Sequence, residues 1–145
     1  MPSQTFVHTA SATVAIDEVW AALDEPGTWE SIGRVNRVFD PVVDERGRLR
    51  GFSFETVAAG RNYVGTATPG AREEGRRMTW NVDSSEVRGT TTVELEPVAG
   101  GTKIQVTLQV ESAGLLSSMI FPVIAGAIGS GLGDAVDEFA AGFET

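Results

Sequence analysis

One histidine, one tyrosine and no cysteine set narrow limits on the chemistry available to this chain. His8 is the only side chain whose unperturbed titration falls near neutral pH. It lies in the alternating segment Thr5 to Val14, where Phe6, Ala10, Ala12 and Val14 share its parity, so a strand there turns it toward a core. An inward imidazole can protonate an enolate or take a proton next to a carbonyl. The commoner role of a lone histidine on an apolar face is a hydrogen-bonded core residue. Arg61 and Tyr63 share a parity on another strand. Facing inward, they would set a phenol in a cavity and a guanidinium near its mouth, suited to an acidic or phenolic ligand head. An arginine at a strand end is more often solvated.

Other chemistries find no support. Without cysteine there is no disulfide framework, thiol nucleophile or thiolate metal site, and one histidine makes no histidine-rich zinc site. No nucleophile elbow accompanies the histidine, and the glycines at Gly100-Gly101 and Gly129 to Gly133 lack phosphate-loop spacing. Asp44-Glu45 and Glu73-Glu74 read as turn residues rather than metal ligands, so neither metal nor cofactor is expected. The net charge of -9 speaks against nucleic acid, which needs clustered cations. All eleven basic residues fall between Arg34 and Lys103, leaving both ends of the chain purely acidic.

These side chains need elements to position them. A chain of 145 residues, 41% hydrophobic, is the size of one domain with a core of its own, spanning 1–145. After the first strand, Ile16, Val19, Trp20 and Leu23 mark one side of a helix over Ile16 to Asp24, which Glu25-Pro26-Gly27 ends. A second short helix, Thr28 to Ile32, carries Trp29 and stops at Gly33. Six strands follow: Arg37 to Asp44, Leu49 to Val57, Arg61 to Thr68, Arg76 to Asp83, Gly89 to Glu96 and Thr102 to Glu111. The punctuation between them includes Glu45-Arg46-Gly47, Pro69-Gly70 with Glu73-Glu74-Gly75, and Ala99-Gly100-Gly101. Connections this short imply antiparallel neighbours. Ile104, Val106, Leu108 and Val110 point one way and their polar neighbours the other, giving one wet face and one covered face.

The cover must be the last third. Ser112 to Gly133 holds no charged residue, and Leu116, Ile120, Ile124, Ile128, Leu132, Val136, Phe139 and Phe143 recur at helical spacing. About 20 apolar residues cross a bilayer. Here five glycines, Pro122 and serines including Ser117, Ser118 and Ser130 dilute the run and no basic residue follows it, so a buried helix rather than a membrane span is expected. The first ten residues lack the pattern of a secretory signal, and a cytoplasmic protein is expected.

A strand, the helix pair in "AIDEVWAALDEPGTW", a six-strand meander and a long C-terminal helix together resemble the START-like or SRPBCC superfamily, which includes the polyketide cyclase/dehydrase and lipid-transport family. Val19, Trp20 and Trp29 stand at family-like positions, and the resemblance covers essentially the whole chain. It implies an α+β helix-grip fold: a curved seven-stranded antiparallel sheet around the long helix, two short helices between strands 1 and 2, and an apolar cavity within. Phe52, Phe54, Tyr63, Met78 and Trp80 would line that cavity from the sheet beside Gly65 and Ala67, with Ile120, Ile124 and Ile128 above. His8 and Arg61 complete the ligand-binding set. The aromatics equally serve as core.

The reading favoured is binding or carriage of a small hydrophobic molecule, lipid or polyketide-like. The alternative is a cyclase or dehydratase using His8 and Tyr63, and a third is a protein-interaction module with a filled core. A monomer or homodimer is expected.

Overall fold

Alternation sets the strands, and glycine and proline set most of the bends between them. The computed structural model describes residues 3–32, 37–58, 61–84, 87–112 and 131–143. In chain order these form β1 (Ser3–Ala12), α1 (Ile16–Ala22), α2 (Pro26–Ile32), β2 (Arg37–Val43), β3 (Leu49–Ala58), β4 (Arg61–Glu73), β5 (Arg77–Ser84), β6 (Val87–Val98), β7 (Gly101–Ser112) and α3 (Leu132–Ala141). The seven strands make one antiparallel sheet in the order β1-β7-β6-β5-β4-β3-β2, so the meander of β2 to β7 closes with β1 laid beside β7. This is the curved antiparallel sheet of the helix-grip architecture.

The period-2 pattern sorts the faces. Ile104, Val106, Leu108 and Val110 of β7 are buried, as are Val93 and Leu95 of β6 and Met78 and Trp80 of β5. Each large side chain so buried contributes about 1.5–3 kcal/mol. Against this face sit the helices. α1 buries Val19 and Trp20 toward β6 and β7, while α3 buries Leu132, Ala135, Val136 and Ala140 and packs on β1 and α2. Phe139 and Phe143 meet edge to face at 5.2 Å where α3 ends. The apolar run expected to form the longer helix lies, over 113–130, outside the described residues, and Ile120, Ile124 and Ile128 with it. No helix among the described residues is long and apolar enough to cross a membrane.

Two local expectations are corrected. Pro26 opens α2 rather than merely closing α1, because its missing N–H costs nothing at a first helical position and its fixed φ suits the turn. Thr28 Oγ1 then donates to Ala22 O at 2.7 Å, binding the two helices together. Pro69-Gly70, expected as a turn, runs inside β4. Pro69 pairs with Trp80, and the register slips before Arg72 pairs with Met78. A bulge tolerates the missing donor, and the reversal itself falls at Gly75, with φ of 75°. On the edge strand β2, Asp40 at φ 50° and the following Pro41 break the ladder, which blunts an edge open to another chain.

Candidate functional site

Three rings meet on the inner face. Trp29 of α2, Phe52 of β3 and Trp80 of β5 are each nearly or fully buried. Trp29 stacks on Phe52 at 6.4 Å, and Trp80 stands edge-on to both, at 5.9 Å from Trp29 and 5.3 Å from Phe52. Such pairs add ~0.5–1.5 kcal/mol beyond area burial. The backbone brings them together: Phe52 pairs with Ala67 on β4, Ala67 pairs with Val82, and Trp80 lies two residues before Val82 on the same face. Met78, fully buried, occupies the next inward position of β5. Phe54 is half-buried, and its ring covers Gly65, where a Cβ would come 2.5 Å from Phe54 Cζ. The volume that Gly65 leaves is thus taken by the protein's own side chain.

The three indoles of the chain differ in one respect. Trp20 Nε1 donates to Glu74 Oε2 at 3.0 Å and Trp29 Nε1 donates to Leu23 O at 2.8 Å. Trp80 Nε1 is buried and has no hydrogen-bond partner among the described residues. A buried donor left unmade costs about 1–3 kcal/mol.

His8 takes a different place. It lies on edge strand β1, a third of its side chain exposed, with Nε2 2.9 Å from Asp137 Oδ1 of α3. Its ring rests on Gly133, where a Cβ would stand 3.2 Å from Nδ1. Gly133 therefore allows the helix backbone close to the imidazole. The cross-strand row His8, Val106, Val93, Met78 spans β1, β7, β6 and β5. Three interstrand spacings put His8 ~14 Å from Met78 along the sheet. His8 stands on the edge strand and Trp80 on the central strand, with β7 and β6 between them.

The side chains of Arg61 and Tyr63 lie outside the described residues. Their backbones pair with Ala58 and Thr56.

A third group went unforeseen. Arg72, its side chain 11% exposed, donates through both terminal nitrogens to Asp24 at 3.1 Å and through Nε to Glu74 at 2.6 Å. Its guanidinium also lies 5.2 Å from the Trp20 ring centre. Asp24 Oδ1 further accepts the Leu49 backbone N–H, and Arg48 reaches both Asp44 and Glu74. Burial works against the Arg72 charge, but the hydrogen bonds to Asp24 and Glu74 outweigh it and raise its pKa above the ordinary value. The Arg72 hydrogen bond holds Glu74 below the usual carboxylate range despite some desolvation, with help from Trp20. This cluster ties the end of α1 to the start of β3 and the end of β4. Glu74 was read as a turn residue, and nothing in the spacing of Asp24 and Arg72 announces their meeting. Asp137 had a fainter signal, lying four residues after Gly133 on one helix face.

Among the described residues no group of three or more potential ligands could hold a metal ion. A hollow of about 340 Å³ on the outer face, lined by Thr68, Asn81, Asp83, Thr90 and Gln109 among others, is half open to solvent.

Residues 3–144 match the family described as polyketide cyclase / dehydrase and lipid transport. Solved structures share the fold at low identity. A START superfamily protein from Mycobacterium smegmatis is 12% identical with a TM-score of 0.72, over 95% of this chain and 97% of that one. A protein from Thermus thermophilus, TTHA0849, is 14% identical with a TM-score of 0.73, over 98% and 100%. The Zhui aromatase/cyclase from Streptomyces sp. R1128 is 14% identical with a TM-score of 0.67, over 97% and 95%. No curated protein matches. At these identities the likeness to solved structures concerns the fold, and function has to be argued from the site.

Proposed function

Because the chain belongs to the polyketide cyclase / dehydrase and lipid transport family, we propose that it binds and carries a small apolar molecule between the inner face of the sheet and the helices over it. The observation that most supports this is the group of Trp29, Phe52 and Trp80, buried and apolar, whose two strand members lie three or more strand spacings along the sheet from the only histidine. Apolar contact of this kind supplies affinity in proportion to area, at about 25 cal/mol per Å² removed from water. Phe52, Phe54, Met78 and Trp80 form the sheet side of the proposed site. Arg61, Tyr63, Ile120, Ile124 and Ile128 enter it on the sequence reading alone.

A second reading has one observation in its favour. The 2.9 Å contact to Asp137 fixes the His8 ring, as a carboxylate does for a general base. In a cyclase or dehydratase, His8 with Tyr63 would then move the proton. His8→Asn separates the two: a carrier keeps its ligand affinity within a few-fold, whereas an enzyme of this design loses turnover. Turnover that survives the substitution ends the histidine mechanism.

The first experiment is native mass spectrometry of protein isolated from its own cells, with organic extraction of what it releases. A stoichiometric apolar compound is expected. Protein that is empty and takes up no fatty acid, sterol or aromatic polyketide from a panel sinks the carrier reading and favours a protein-interaction module with a filled core.

A further inference from the structure

Trp80 Nε1 is the one buried side-chain nitrogen or oxygen among the described residues with no hydrogen-bond partner, on a residue 2% exposed. A buried polar residue stands beside it in the strand register. Of the two buried polar residues among those described, Thr102 donates to Val14 O at 2.9 Å, while Thr91 stands directly opposite Trp80 in the β5–β6 register. Thr91 pairs in turn with Leu108 of β7, so the row Trp80, Thr91, Leu108 crosses the inner face as an apolar strip carrying one indole N–H and one hydroxyl. The largely buried guanidinium, Arg72, is committed to Asp24 and Glu74. Of the cations with described side chains only Arg72 is largely withdrawn from water, and an unpaired buried carboxylate is far costlier than a neutral oxygen.

We propose that Trp80 Nε1–H and the Thr91 hydroxyl are the polar contacts of the ligand site, and that the ligand is an apolar molecule bearing a neutral oxygen, a hydroxyl or ketone, at this point. The inference rests on the carrier reading above. A ketone oxygen accepts from both groups. A ligand hydroxyl accepts from Trp80 and donates to Thr91. A pocket that offers an otherwise unanswered donor discriminates against the analogue lacking the acceptor.

The test compares naphthalene, 2-naphthol and 2-naphthoate as probes on the full chain, by calorimetry and by ¹⁵N–¹H spectra of the three indoles, with the Trp80 resonance assigned by its loss in Trp80→Phe. The expected order is 2-naphthol tightest, by about five- to tenfold over naphthalene, the value of one hydrogen bond, with 2-naphthoate weakest. In the unmutated protein 2-naphthol moves the Trp80 indole N–H signal downfield, relative to the ring-current shift that naphthalene alone produces. Trp80→Phe and Thr91→Val, each checked for a native spectrum, reduce the preference to within about twofold. If the probes bind with no preference, or the indole signal ignores 2-naphthol, the polar contact is wrong and the carrier reading stands. If 2-naphthoate binds tightest, the site holds a cation and the neutral-oxygen assignment falls. If none binds, the carrier reading fails and this inference with it.

Discussion

Arg72 and Trp80 lie on neighbouring strands, β4 and β5, and are both largely withdrawn from water, yet they are treated in opposite ways. Around Arg72 every direction is answered: two carboxylates, an aromatic face, and beyond them a backbone N–H and a second arginine. Around Trp80 two aromatic rings pack closely, while its indole N–H has no hydrogen-bond partner among the described residues. The energy scale explains the difference. A charge left alone in the interior costs several kcal/mol, so it survives only in a closed network; a neutral donor left alone costs about 1–3 kcal/mol, which a fold can tolerate. A closed network has nothing left to offer a ligand. The open donor does, and so the chemistry of binding is sought at Trp80 and the stability at Arg72.

The sharpest way to break this contrast is to open the closed side. Arg72→Met keeps much of the side chain's apolar stem but strands Asp24 and Glu74, and urea melts should show a loss of about 3 kcal/mol, the low end for breaking a buried pair. Arg72→Lys recovers part of that, since an ammonium cannot make the forked contact to Asp24 or lie flat on Trp20. A loss below about 1 kcal/mol for Arg72→Met would class the cluster with ordinary surface pairs and remove the contrast.

Acid probes the same cluster more gently. Glu74 and Asp44 are held below their ordinary values of 4.5 and 3.8, Glu74 first by the Arg72 hydrogen bond and Asp44 first by the backbone N–H of Arg48. A carboxyl whose folded pKa is depressed binds its proton more readily when unfolded, so its stabilisation is complete above the ordinary value and lost as pH falls through the folded one. The raised pKa of Arg72 adds no slope in this range, because that stabilisation is fully present at every pH below the ordinary arginine value. The melting temperature should therefore fall as pH drops below about 4.5, from the linkage of Glu74 and then Asp44, and Glu74→Gln should flatten the upper part of that slope. An unchanged slope in Glu74→Gln would place the acid sensitivity elsewhere. The effect is small, since Glu74 is 57% exposed.

What the sequence carried and what it did not divide along the same physical line. β7 was legible because Ile104, Val106, Leu108 and Val110 repeat at the strand period, and the inward positions of Phe52, Met78 and Trp80 follow from the same alternation. Periodicity reports which face is dry. It does not report which polar groups meet across the chain, and Asp24 with Arg72, 48 positions apart, and His8 with Asp137, 129 apart, leave no local trace. Pro69-Gly70 misled for a related reason: as a dipeptide it has turn chemistry, but pairing with β5 before and after it absorbed it as a bulge. Trp29 was noticed as a marker of the fold and not as a neighbour of Trp80, because the packing of α2 on the sheet is a tertiary fact. The orphan at Trp80 is an absence of partners, which only coordinates can reveal.

His8 and Asp137 stand between the two extremes, and their coupling gives the smallest effect. The pair joins β1 to α3 across a seam where Asp137 is 60% exposed and His8 33% exposed. A pair so placed gains little from Coulomb attraction and loses side-chain freedom, and exposed pairs measure about 0.2–1 kcal/mol. A double-mutant cycle with His8→Ala, Asp137→Ala and the double variant should return a coupling in that range, shrinking as salt is added. The ligand affinity of each variant should stay within a few-fold of the parent, because His8 lies three strand spacings along the sheet from Trp80. A coupling above about 2 kcal/mol would mean a pair far better shielded than its exposure implies. The imidazole would then be held rigidly enough to serve as a base, and the balance would move from carriage toward catalysis.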